Sequence, residues 1–81
     1  MRGQLKIVSP ASTDFVAANL ELGPKTARVK LTQSYKLAAG VRYTLAPCRE
    51  DGTVIGEWME AVEALPLERE ITAVTFQRKS G

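Results

Sequence analysis

Apolar and polar residues alternate along most of this chain, and a period of two marks a strand with one face in a core. Residues 26–32 show it most cleanly. Ala27, Val29 and Leu31 interleave with Thr26, Arg28, Lys30 and Thr32, giving one apolar face and one wet, basic face. Residues 3–9 read as a first strand, with Leu5 and Ile7 on one face against Gln4, Lys6 and Val8, and Pro10 ends it. Residues 70–78 read as the last strand, anchored by Val74 and Phe76. Gly23-Pro24 is a turn signal, and Gly40 suits a turn before the next strand.

Two stretches carry both periods. Over residues 12–22, a helix would be capped by Ser12 or Thr13, would put Phe15, Ala18 and Leu22 on one face, and would stop at Gly23-Pro24. A strand would send Val16, Ala18, Leu20 and Leu22 one way and Ala17, Asn19 and Glu21 the other. The polar residues fall on one parity, which favours the strand. Over residues 57–65, Trp58, Val62 and Leu65 stand at helical spacing with Glu57, Glu60 and Glu63 opposite, and Pro66 closes the segment. The pattern predicts a strand through about Gly56, then a short helix or turn.

Residues 36–58 form the clearest hairpin. Asp51-Gly52 separates two apolar-alternating arms, and this pair supplies the positive φ that tight hairpin turns need. A two- or four-residue loop would pair Val41 with Val62, Leu45 with Trp58 and Cys48 with Ile55. That register gathers Val41, Tyr43, Leu45, Val54 and Trp58 on one face. A three-residue loop with a bulge at Gly52 would split the set, so the first register is favoured. Gln33 to Ala39 reads as a connector into this hairpin.

Length and composition then bound the answer. The chain has 81 residues, 44% hydrophobic and 25% charged, which suits one ordered domain over residues 1–81. No apolar run is long enough to span a bilayer or to serve as a signal peptide, so the expected location is cytoplasmic. Cys48 is the only cysteine and histidine is absent, which excludes an internal disulfide, a Cys/His zinc site and a His-activated nucleophile. Cys48 itself reads as a small, half-buried hydrophobe near the turn. Glu57, Glu60 and Glu63 have the spacing of a solvated helix face rather than of a metal or acid–base site. Gly40, Gly52 and Gly56 are too dispersed for a phosphate loop. No catalysis and no cofactor is expected, and no small-molecule substrate is evident.

Charge is segregated. Six basic residues and no acid lie between Leu22 and Arg49: Lys25, Arg28, Lys30, Lys36, Arg42 and Arg49. Seven acids and one base, Arg69, lie between Glu50 and Glu70. The two stretches can neutralise each other at the surface, or present a basic and an acidic side to a protein partner or to second copies. The candidate interaction residues are Lys25, Arg28, Lys30, Tyr35, Lys36, Arg42, Glu57, Glu60 and Glu63. The basic stretch with Tyr35 and Tyr43 also admits a small barrel that binds single-stranded nucleic acid. Tyr43 reads as core and Tyr35 as the exposed aromatic.

The segment Leu37-Ala38-Ala39-Gly40-Val41-Arg42-Tyr43-Thr44-Leu45, followed by Asp51-Gly52-Thr53-Val54, resembles the β-sandwich modules of phage tail-tip (host-specificity) proteins. In those modules an apolar-x-x-Gly-x-x-Tyr strand leads to an Asp-Gly-Thr hairpin. The closing Ile71-Thr72-Ala73-Val74-Thr75-Phe76 is similar to their module ends, and the resemblance spans about half the chain. It implies a virion-type structural component, virion-associated if phage-encoded, and it carries over no functional residue.

The expected architecture is mainly β: a small antiparallel β-sandwich or half-open barrel of five or six strands, with at most one or two short helices. Its core should hold Leu5, Ile7, Val16, Leu20, Val29, Leu31, Tyr43, Leu45, Trp58, Val74 and Phe76. The expected function is a non-catalytic protein-binding or assembly module. Nucleic-acid binding and inhibition or regulation of a larger enzyme are the alternatives.

Overall fold

The computed structural model describes residues 1–56 and 58–78. Six strands follow one another: β1 (Arg2–Val8), β2 (Thr13–Leu22), β3 (Thr26–Leu37), β4 (Tyr43–Arg49), β5 (Glu60–Val62) and β6 (Arg69–Gln77). They form one sheet in the order β5-β4-β1-β2-β3-β6, and every neighbouring pair is antiparallel. The sheet curls into a nearly closed barrel, so that its two edge strands, β5 and β6, line a common cleft. This is the half-open barrel among the expected architectures, and it contains no helix among the described residues.

The alternation seen in sequence is what fills the barrel. Leu5 and Ile7 of β1, Ala18 and Leu20 of β2, and Ala27, Val29 and Leu31 of β3 point inward and are buried. Of the eleven expected core residues, nine are buried, and Val16 and Val74 pack against them half-buried. Ala18, Ala27, Leu37 and Ile71 complete the cluster. Residues 12–22 resolve as the strand β2, with Val16, Ala18 and Leu20 inward. Leu22 is an exception, exposed near the strand's end.

Gly3 sets how closely β1, β2 and β4 approach. A Cβ there would stand 2.5 Å from the Cys48 carbonyl oxygen and would overlap the Leu20 side chain. Only glycine lets the sheet close over Leu20 at this point.

Three expectations need correction. First, the stretch read as a connector at residues 33–39 is mostly strand, because β3 runs on to Leu37. Its pairing with β6 slips on the way: Lys30 faces Ala73, but Tyr35 faces Ile71. Four residues of β3, 31–34, therefore stand against Thr72 alone. Extra residues on one strand bend it and increase its twist. Polar Thr32, Gln33 and Ser34 hide the strand from a period-two reading, since the bulge breaks the alternation.

Second, the hairpin uses the three-residue loop. Gly52 has φ +88°, its N–H donates to the Arg49 carbonyl at 2.9 Å, and Arg49 N–H donates to the Thr53 carbonyl at 2.9 Å. Cys48 then faces Val54, while Leu45 faces Glu60 and Tyr43 faces Val62. Neither the Leu45–Trp58 pair nor the Cys48–Ile55 pair forms. Pro47 is the cause. Its carbonyl accepts a hydrogen bond from Ile55 N–H at 2.9 Å, so its backbone faces the returning arm. It has no N–H to offer that arm, and the ladder breaks there. The slack is taken up between Ile55 and Glu60, where Trp58 N–H turns back to the Ile55 carbonyl at 3.2 Å. Trp58 still enters the core, at 5% exposure.

Third, the short helix considered for residues 57–65 is absent among the described residues; Glu60–Val62 is the strand β5 instead. A helix of that length gains little in water, whereas the extended chain finds the open edge of β4 at Tyr43 to Leu45. Glu57 lies outside the described residues.

Candidate functional site

Two surfaces of the barrel carry groups without a partner. The first is the edge of β6. Arg78 N–H bonds the Lys25 carbonyl at 2.9 Å, so the backbone of Arg78 faces β3. Alternation then turns Val74 and Phe76 toward β3 as well, and turns the N–H and C=O of Ala73, Thr75 and Gln77 away from it. Among the described residues, no strand pairs with that outer side. On the opposite lip, Glu60 and Val62 face β4, which leaves the backbone of Ala61 turned to the same cleft.

The cleft has a volume of about 430 Å³. Leu37, Leu45, Ile71 and Val74 line it together with Glu60 and Glu63 on the β5 side and Arg69 on the β6 side, and more of its exposed lining is polar than apolar. Only three residues long, β5 is too short to cover nine-residue β6. The edge strands run antiparallel to each other, because six strands alternate in direction along the sheet.

The second surface is the outer face of β1, β2 and β3. Lys6 stands opposite Phe15, Arg2 opposite Asn19, Asn19 opposite Lys30, and Glu21 opposite Arg28. Phe15 is 50% exposed. Arg2, Lys6, Arg28 and Lys30 form no ion pair among the described residues.

The expected interaction residues divide between several places. Arg28 and Lys30 lie on the outer face, and Lys25 is exposed in the turn before β3. Lys36 and Arg42 are neutralised instead: Lys36 Nζ lies 3.4 Å from Glu68, and Arg42 Nη2 lies 3.2 Å from Glu63. The two charge blocks therefore meet at these points, as mutual neutralisation requires. Glu60 and Glu63 sit on or beside β5 at the cleft. Tyr35 is a correction, since it is half-buried rather than a free aromatic. Its hydroxyl donates to Asp14 Oδ2 at 2.5 Å, and this carboxylate, with burial, pushes the phenol up to about 12. Tyr43 is core as expected, and its hydroxyl accepts from Ala38 N–H at 2.9 Å.

Phe15, Arg2 and Lys6 also stand on the outer face, although they lie outside the candidate interaction residues of the sequence. Phe15 was legible: once Val16, Ala18 and Leu20 point inward, Phe15 must share the outer face with Ala17 and Asn19. Arg2 and Lys6 lie far in sequence from the basic block, and only strand pairing brings them to it.

Cys48 is fully buried rather than half-buried. Burial pushes its thiol up, partly offset by the charge and the backbone N–H of Lys6. At the hairpin tip, Asp51 accepts from Thr53 N–H at 2.8 Å, and Thr53 holds its carboxylate below the usual range. Burial places the Cys48 thiol in the fold's interior, and the Asp51–Thr53 contact shapes the turn.

Comparison of the chain with protein-family models, with curated proteins and with solved structures found no match, so the reading of these surfaces rests on their own geometry.

Proposed function

We propose that this chain is a non-catalytic protein-binding module that accepts an extended segment of a partner protein along the free edge of β6. The observation that carries this reading is the outward backbone of Ala73, Thr75 and Gln77 beside the cleft between β5 and β6. Unpaired strand edges template the addition of another strand, with main-chain hydrogen bonds giving affinity and alternate side chains giving specificity. A strand entering the cleft must run parallel to one edge strand and antiparallel to the other. The longer β6 and the better antiparallel geometry favour pairing antiparallel to β6. Every second side chain of the guest would meet a lining that mixes Val74 with Glu60, Glu63 and Arg69, so the guest should be an extended segment with small or polar residues on one face. An assembly role in a virion would be one setting for such a module.

The test uses proline as a probe. Ala73→Pro removes one outward donor and leaves the β3 ladder untouched, and proline is tolerated at sheet edges. A partner captured by the native protein from its source extract should be lost with Ala73→Pro and kept with Arg28→Glu. Equal retention by native protein and Ala73→Pro would rule the edge out as the binding element.

A further inference from the structure

We propose that the outer face of β1, β2 and β3 binds single-stranded nucleic acid, with Phe15 stacking on a base and Arg2, Lys6, Arg28 and Lys30 meeting phosphates. This surface is separate from the β6 edge, so the inference stands or falls independently of the protein-binding reading.

Strand pairing brings these residues together on one face. At one level of the sheet Lys6 flanks Phe15; four residues further along β2, Arg2 and Lys30 flank Asn19 from either side. At ~3.3 Å per residue, these two levels are about 13 Å apart. Between them lie Gln4, Ala17 and Thr32, of which Ala17 is small and Thr32 turns its hydroxyl onto the Ala17 carbonyl at 3.1 Å. The result is a shallow track with an aromatic at one end and a basic row at the other. Arg28 extends the row next to Glu21, and Lys25 stands beyond it in the turn.

Charge and exposure select the occupant. Four basic side chains share this face with one acid, Glu21, and none of the four has an ion-pair partner among the described residues. The remaining basic residues of the block behave differently, because Lys36 and Arg42 are already paired with Glu68 and Glu63. A large apolar side chain left half exposed on a basic sheet face is what a stacking platform requires: every base has a π-face, and an aromatic ring stacks on it without regard to sequence. A duplex offers no unstacked base, and this face has no helix or ribbon to enter a major groove. The chemistry therefore fits a single strand.

The experiment is fluorescence anisotropy with a labelled oligothymidylate of about twelve nucleotides, a length that covers one small barrel. Binding should be measurable at low salt and should weaken as salt rises, with a log–log slope of roughly −2 to −3 for three or four phosphates neutralised. The double substitution Arg28→Glu and Lys30→Glu should abolish it. Phe15→Ala should weaken oligonucleotide binding at least about fivefold while leaving heparin binding unchanged. Circular dichroism confirms that each variant keeps the native spectrum, and Arg2→Gln serves as a milder second variant that should lower the salt slope. No binding at low salt overturns the proposal. So does binding that Phe15→Ala does not change, which would mark a generic polyanion surface, or binding to phosphatidylserine vesicles without binding to the oligonucleotide.

Discussion

Replacing Gly3 with alanine should destabilise the barrel by about 1–3 kcal/mol, the usual cost of overpacking a close-fitting site. The added methyl group would meet both the Cys48 carbonyl and Leu20. Urea denaturation measures this, and an unchanged midpoint would mean the three strands approach less closely. Tyr35 gives a second test. Its pKa is raised from about 10 to about 12 by the Asp14 carboxylate that accepts its hydrogen bond and by burial. A raised pKa stabilises the fold fully below pH 10, and that stability is lost as pH rises through 12. Tyr35→Phe should therefore cost about 1 kcal/mol at neutral pH, and the gap between native protein and variant should shrink as the pH climbs past 10. A gap that stayed constant across that range would contradict the hydrogen bond. Cys48, with 0% exposure, should react with iodoacetamide only as fast as the protein opens. Prompt labelling of the native state would show that β4 is less covered than described.

The elements differ in how openly the chain declares them. β1, the first half of β3 and the second half of β6 are plain in the alternation of Leu5 and Ile7, of Ala27, Val29 and Leu31, and of Val74 and Phe76. The hairpin is legible in the sequence but its register is not, because side-chain faces alone do not fix it. Pro47 held the missing information: a residue without an N–H cannot sit in a continuous two-sided ladder. The second half of β3 was hidden by its own bulge, which takes Gln33 and Ser34 out of alternation. The outer-face site was only partly legible, since pairing brings Arg2 and Lys6 of β1 to Arg28 and Lys30 of β3. Alternation along β6 makes a further prediction. Val74→Pro removes an N–H that faces β3, while Ala73→Pro removes one that faces the cleft. The first should cost about 1–3 kcal/mol more than the second, the penalty for leaving a ladder partner unsatisfied. Equal losses on thermal unfolding would mean that the two amides are in the same environment.

At the scale of the whole molecule, the barrel stops short of closing itself. Its two terminal strands in the sheet are unequal, three residues against nine, so among the described residues nothing pairs with the long outer edge of β6. Surface charge does little to hold the ends together. The Lys36–Glu68 and Arg42–Glu63 pairs are exposed, and such pairs contribute about 0–1 kcal/mol each. The fold instead rests on the apolar cluster inside. The open edge is the claim on which the protein-binding reading depends, and amide hydrogen exchange resolved by NMR tests it most directly. The account predicts fast exchange at Ala73, Thr75 and Gln77 and slow exchange at Val74 and Phe76, alternating residue by residue along β6. Uniform protection of all five amides in the free, monomeric protein would mean that the barrel closes on itself, and would contradict it.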